Sequence, residues 1–232
     1  MNILVTGASR GIGKTIAQEL CSLGNVFVTG RNEELLKNLN CKYCVCDLSN
    51  DAEKLCNFIK ENNIDILINN AGEYFYGAIE EMSSKQIEQI CSTNLIAPMK
   101  LISACVPHMK SQKFGRIVNI GSISGVMGEA YASLYSSTKS GLIGLTKALA
   151  LELAEHNITV NTINPGWVDT ELGSRSIEES EFSKEEVLET IPQRRFVEPI
   201  EVANLVKYLV SEEAKGVTGQ SINLCAGLSV GI

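Results

Sequence analysis

Short runs rich in β-branched and other apolar residues recur along the chain, at 3–6 (ILVT), 25–29 (NVFVT), 43–46 (YCVC), 65–69 (DILIN), 116–120 (RIVNI), 158–164 (ITVNTIN) and 221–225 (SINLC). Each is short and bounded by turn-forming residues, the signature of a strand. Longer stretches with helical spacing lie between them. The strongest runs from about Ser136 to Ala154, where Leu142, Leu145, Leu149 and Leu153 return every three or four residues as one apolar stripe. Other helices are expected to begin near Ile12, Asn32, Ser49, Ser83, Pro98 and Pro199. Seven strands alternating with helices predict an α/β fold: a doubly wound, parallel, seven-stranded sheet with helices on both faces.

No internal repeat and no Pro/Gly/Ser linker interrupts this rhythm, so residues 1–232 are expected to form a single domain. One segment departs from it. From Thr170 to Arg195 the chain carries seven glutamates (Glu171, Glu178, Glu179, Glu181, Glu185, Glu186 and Glu189) and few large apolar side chains. It follows the sixth strand, where it would overlook the carboxyl ends of the sheet. Two readings stand: a substrate lid at about 170–195, or a solvated helical insertion.

With 44% hydrophobic and 20% charged residues, the composition is that of a chain that folds around a sizeable core. The formal charge of -7 argues against a nucleic-acid partner, because phosphate-backbone binders rely on net positive surface. No apolar run approaches the ~20 residues that span a bilayer, and MNILVTG already reads as a strand. No membrane association and a cytoplasmic location are therefore expected. Eight cysteines without a leader point to reduced thiols. Cys41, Cys44 and Cys46 lie close together, yet no second Cys or His cluster completes a zinc set, and no metal is expected.

After the first strand comes Thr6-Gly7-Ala8-Ser9-Arg10-Gly11-Ile12-Gly13, a glycine-rich turn that opens a helix. Gly7 permits the bend, Gly11 lets backbone approach a pyrophosphate, and Gly13 allows close packing of helix on strand. The helix amino end would add N–H groups and positive dipole. The spacing is GxxxGxG rather than the commoner GxGxxG, but its place after strand one makes a Rossmann-like dinucleotide site the expectation. At the end of the second strand an acid would bind the ribose 2'-hydroxyl of NAD(H). Here that place reads Thr29-Gly30-Arg31-Asn32, with no acid. Arg31 offers a fork for a 2'-phosphate and Arg10 could reach the same group, so NADP(H) is favoured over NAD(H). The bland alternative is two exposed arginines and an Asn32 helix cap.

Tyr135 alone among the tyrosines has a lysine four residues on, and the Tyr135–Lys139 pair opens the strongest helix on one face. A phenol with a pKa near ~10 exchanges protons poorly at neutral pH. The Lys139 cation and the helix amino end are expected to lower it, making Tyr135 a general acid in reduction and a general base in oxidation. Ser122, just past the fifth strand, could hydrogen-bond the reacting oxygen. Ser124 is its rival on the same turn, and Ser136 and Ser137 point elsewhere on the helix.

These features, taken in order with Asp47 after the third strand, Asn69-Asn70-Ala71-Gly72 after the fourth, Asn94 in a helix, and Asn164-Pro165-Gly166 with Thr170, resemble the short-chain dehydrogenase/reductase family over nearly the whole chain. The resemblance implies a tetrad of Asn94, Ser122, Tyr135 and Lys139, with Lys139 also on the nicotinamide ribose and Asn94 anchoring a water. It implies cofactor contacts at Thr6, Gly7, Ser9, Arg10, Gly11, Ile12, Gly13, Arg31, Asp47, Leu48, Asn70, Ala71, Gly72, Tyr135, Lys139, Pro165, Gly166, Val168 and Thr170. A homotetramer or homodimer is implied as well.

The stretches IGSISGVMG and YSSTKSGLIGLTKALA resemble bacterial 3-oxoacyl-acyl-carrier-protein reductases. The small-molecule substrate would then be a 3-oxoacyl thioester carried on acyl-carrier protein or coenzyme A, with Lys110, Lys113 and His156 the nearest basic docking residues. Glu73-Tyr74-Phe75-Tyr76-Gly77 departs from the arginine-bearing sequence usual after NNAG in those reductases. The expected activity is NADP(H)-dependent reduction of a ketone. The alternatives are an alcohol, sugar or steroid dehydrogenase and, more remotely, a cofactor-sensing protein without chemistry, which an intact tetrad disfavours.

Overall fold

The computed structural model describes residues 1–180 and 182–230; Glu181, counted above among the acidic residues of the lid, lies outside them. Seven strands, β1 (Asn2–Thr6), β2 (Asn25–Gly30), β3 (Lys42–Val45), β4 (Ile66–Asn69), β5 (Gly115–Ile120), β6 (Ile158–Pro165) and β7 (Ser221–Leu224), form one sheet in the order β3-β2-β1-β4-β5-β6-β7. All six pairings are parallel. The strand order reverses between β1 and β4, which opens a crevice at their carboxyl ends.

The helices are α1 (Gly11–Leu20), α2 (Glu33–Lys37), α3 (Ala52–Asn62), α4 (Ser84–Cys91), α5 (Ala97–Gln112), α6 (Ser124–Met127), α7 (Ser133–Leu153), α8 (Glu171–Glu179), α9 (Lys184–Thr190) and α10 (Pro199–Leu209). Strand residues alternate between two cores, as the two-residue period requires. Ile3, Val5, Ile66 and Ile68 pack with α1 and α10. Leu4, Leu67 and Ile117 pack with α3, α5 and α7 on the other face. Cys44 and Cys46, two residues apart, are buried together in that second core.

Two local readings change. The inward line of α7 is Lys139, Leu142, Thr146, Ala150 and Leu153, with Leu145 and Leu149 on its half-buried flank. Thr146 faces inward because its hydroxyl has partners there: it accepts from Asn119 Nδ2 at 2.9 Å and lies 2.6 Å from the Thr162 hydroxyl. Asn69 Nδ2 in turn donates to Asn119 Oδ1 at 2.9 Å. This buried polar chain ties α7 to β4, β5 and β6.

The helices expected from Ser83 and Pro98 are one continuous helix, joined through a π-turn at Ser92–Ile96. Pro98 is tolerated because it follows that turn, where the regular ladder is already broken. Among the described residues, Ser84–Gln112 is the one helix long and apolar enough to cross a membrane by length and composition, a length that the separate runs concealed. Its inner side, with Leu101, Ile102, Cys105 and Met109, lies in the core, and it carries Lys85, Glu88, Lys100 and Lys110.

Candidate active site

A cleft of about 700 Å³ runs along the carboxyl ends of the strands, with the glycine turn at one end and Ser122, Tyr135 and Lys139 at the other. Gly7 has φ +65°, and a Cβ there would lie 2.8 Å from the Ala71 Cα. At Gly13 a Cβ would meet the Gly7 carbonyl oxygen and Asn70 Nδ2, each at 2.4 Å. The Arg10 side chain does not cap the start of α1, which leaves its first N–H groups suited to an anion. Ser9, Arg10, Gly11, Ile12, Asp47, Leu48, Asn70, Ala71, Gly72, Pro165, Gly166, Val168 and Thr170 line the same cleft.

Thr6 does not. It is 1% exposed, and its hydroxyl accepts from the Asn70 and Ala71 N–H groups at 3.0 Å each. It joins the glycine turn to the loop after β4 from beneath, a role that a motif match could not separate from ligand contact.

Neither arginine is merely exposed. Arg10 Nη1 donates to Glu171 Oε1 at 2.7 Å, linking the glycine turn to α8. Arg31 Nη1 donates to Glu73 Oε1 at 2.7 Å, reaching from the end of β2 to the loop after β4. Asn32 also caps α2 through the Leu35 N–H, as expected.

At the other end, Ser122 Oγ donates to Ser124 Oγ at 3.1 Å and accepts from the Ser124 N–H at the same distance. Ser124 passes the chain on to Glu129 Oε2 at 2.6 Å, and Tyr74 Oη donates to Glu129 Oε1 at 2.8 Å. Ser124 therefore supports Ser122 rather than competing with it. The Ser137 hydroxyl turns back onto the Ser133 and Leu134 carbonyls. The Tyr74 and Tyr135 rings meet edge-on at 5.1 Å. Glu129 and Tyr74 were not found by motif, because neither belongs to a spacing pattern.

Lys139 is 4% exposed; its ammonium donates to the Ile120 carbonyl at 2.8 Å and lies 5.5 Å from the Tyr135 ring centre. Burial pushes its pKa down to about 8. The expected lowering at Tyr135 is overturned. Burial pushes the phenol up to about 12, partly opposed by the Ser122 hydrogen bond and reinforced by the Glu129 charge. Desolvation of the phenolate outweighs the help expected from lysine and helix end.

Asn94 stands behind the cleft wall, 1% exposed in the π-turn. Its Oδ1 accepts from the Glu73 N–H at 2.8 Å, and its amide donates to the Glu73 carbonyl at 2.9 Å and to Thr138 Oγ1 at 3.2 Å. Both amide hydrogens are thus committed to protein partners. Lys110, Lys113 and His156 precede β5 and β6 at their amino ends, whereas the cleft lies at the carboxyl ends. As docking residues they would hold a carrier at the end of the sheet opposite the cleft.

In the segment at 170–195, Ile177, Val187 and Ile191 are buried against Trp167, Phe196 and Leu228. Leu172, Ser176, Ser180 and Phe182 line the cleft. These described residues give the cleft part of its wall and the segment a small core of its own, while most of its other described side chains are exposed.

An uncapped helix start, glycines that a Cβ would block, and a cleft within the usual range for ligand sites fit a phosphate-bearing dinucleotide. With the Tyr135–Lys139 pair at its far end, this architecture defines a Rossmann-type nicotinamide-dependent oxidoreductase.

A family profile described as enoyl-(acyl carrier protein) reductase matches residues 7–229. The chain is 37% identical to the uncharacterized oxidoreductase YxjF of Bacillus subtilis (strain 168), over 97% of this chain and 96% of that one. It is 36% identical to the 3-oxoacyl-[acyl-carrier-protein] reductase FabG of Rickettsia bellii (strain RML369-C), over 97% and 95%. Among solved structures, a variant of actinorhodin polyketide ketoreductase with NADPH superimposes with a TM-score of 0.93 at 35% identity, covering 99% of this chain and 97% of that one. YwfH, an NADPH-dependent reductase involved in bacilysin biosynthesis, gives 0.93 at 27% identity, over 100% and 99%. The chain belongs to the short-chain dehydrogenase/reductase family.

Proposed function

We propose that this protein reduces a ketone to a secondary alcohol with NADPH, and that its substrate class is 3-oxoacyl thioesters carried on acyl-carrier protein or coenzyme A. The observation that carries the reading is the meeting of Ser122, Tyr135 and Lys139 at the end of a cleft whose other end is a phosphate-binding turn. Ser122 would hold the carbonyl oxygen and Tyr135 would protonate it. A phenol pushed up to about 12 is protonated at neutral pH, the state that donates to a carbonyl oxygen. Lys139 lies beneath the phenol, and Asn94 holds the loop of Gly72 and Glu73 that closes the cleft.

A bound nicotinamide dinucleotide would supply the hydride. Gly7, Ser9, Gly11, Ile12 and Gly13 would hold its pyrophosphate, Asp47, Leu48 and Asn70 to Gly72 its adenosine, and Pro165, Gly166, Val168 and Thr170 its nicotinamide end. Arg31, with Arg10 lining the same cleft, favours a 2'-phosphate and hence NADP(H) over NAD(H). The α8–α9 segment serves as a lid, tied to the glycine turn by Arg10–Glu171. The protein is cytoplasmic and a homotetramer or homodimer. Exposed Ile87, Met99 and Leu151 on the adjoining helices α4, α5 and α7 supply apolar surface for such an interface.

The test follows NADPH absorbance with 3-oxoacyl thioesters, simple ketones and 2-enoyl thioesters. Turnover of the 3-oxo compounds is expected, falling at least 100-fold in Tyr135→Phe, the scale of a lost general acid. Turnover of enoyl substrates alone, or full activity in Tyr135→Phe, overturns the reading.

A further inference from the structure

We propose that Glu73 is a specificity-determining residue for the dinucleotide's 2' position, acting by holding the Arg31 guanidinium. The inference rests on the reading of Arg31 as the 2'-phosphate ligand and adds a residue that competes for it.

The two partners are held very differently. The Glu73 backbone is clamped at both its N–H and its carbonyl by Asn94, at 2.8 and 2.9 Å. Its carboxylate accepts from Gln89 Nε2 at 2.7 Å as well as from Arg31 Nη1 at 2.7 Å, and only 11% of the side chain is exposed. The Arg31 side chain, by contrast, is 58% exposed. Glu73 is the fixed member and Arg31 the member free to move. Both line the cleft.

An acid at the end of β2 is the usual device for rejecting a 2'-phosphate. This chain has none there, yet a carboxylate reaches the same arginine from the loop after β4. A 2'-phosphate must share the guanidinium with Glu73 or displace it, and in either case lies near a fixed negative charge. A dinucleotide without that phosphate leaves the pair intact. Because the arginine end is solvent-exposed, the ion pair is weak, so the effect on affinity is several-fold rather than a thousandfold.

The experiment measures binding of adenosine 2',5'-bisphosphate and of adenosine 5'-monophosphate to the full chain by titration calorimetry. The proteins are wild type, Glu73→Gln, Glu73→Asp, Arg31→Gln and the Arg31→Gln/Glu73→Gln double variant, each checked for unchanged thermal unfolding. Glutamine keeps an acceptor for Gln89, and aspartate keeps the charge on a shorter arm. Glu73→Gln is expected to bind the bisphosphate about three- to fivefold tighter while the monophosphate changes less than twofold, with no such gain in the Arg31→Gln background. Glu73→Asp should move the same way.

If Arg31→Gln loses the preference for the bisphosphate but neither Glu73 variant gains any, the proposal is overturned and the reading of Arg31 stands. If Arg31→Gln keeps the preference, or wild type has none, the reading of Arg31 fails and the proposal falls with it.

Discussion

Lys139 carries its charge where a charge is costly, and replacing it with methionine turns that cost into a measurable gain. The ammonium is 4% exposed, with one carbonyl partner and, among the described residues, no carboxylate in an ion pair with it. Its fall from the ordinary 10.5 to about 8 corresponds to about 3 kcal/mol of destabilisation at neutral pH, at ~1.4 kcal/mol per pH unit. Methionine fills a similar volume but leaves the Ile120 carbonyl without its lysine donor, a loss of about 1–2 kcal/mol. The net expectation for Lys139→Met is about 1–2 kcal/mol of added stability, or roughly 2–8 °C in Tm for a chain of this size, together with lost turnover.

The sign with pH follows from linkage. A lysine whose native pKa is depressed sheds its proton before the unfolded chain does, so wild type gains stability relative to the variant as pH rises from about 8 toward 10.5. Calorimetry on the cofactor-free proteins between pH 7 and 10 should show the variant ahead at pH 7 and its lead shrinking toward pH 10. A variant less stable than wild type at pH 7, or a lead that does not change with pH, would refute the reasoning.

Glu129→Gln removes a charge that raises the Tyr135 pKa. Since reduction needs the protonated phenol, the alkaline fall of kcat/KM should move to lower pH, which a pH profile with a ketone substrate reads directly. Gly13→Ala drives a Cβ to 2.4 Å from the Gly7 carbonyl oxygen and Asn70 Nδ2. It should cost about 1–3 kcal/mol of stability and weaken NADPH binding more than tenfold, measured by denaturant unfolding and nucleotide titration.

Strand positions were legible because both sheet faces are covered, so each strand reads as a compact apolar run between turn residues. The glycine turn and the Tyr135–Lys139 pair were legible because their geometry is local, within one turn and one helical face. What escaped is held together across long stretches of chain. Glu73 meets Arg31 forty-two positions away, and Tyr74 meets Glu129 fifty-five away; such contacts leave no periodic trace. The Tyr135 pKa was misjudged for the same reason, since its neighbours in sequence were counted and the burial supplied by the rest of the fold was not. Thr6 matches a motif in which binding and bracing residues look alike, and only its hydrogen bonds tell them apart.

The π-turn at Ser92–Ile96 acts on the long helix as a change of phase. An α-helix advances about 100° per residue, so one extra residue in the turn rotates everything before it against everything after it by that amount. Ile90 is buried on one side of the turn and Leu101, Cys105 and Met109 on the other, with Asn94 directed at Glu73 between them. Removing a single residue here would leave the helix intact and its two halves individually sound, yet set their inward faces out of step. The length of this helix, counted in residues, is therefore under tighter constraint than most of the side chains along it.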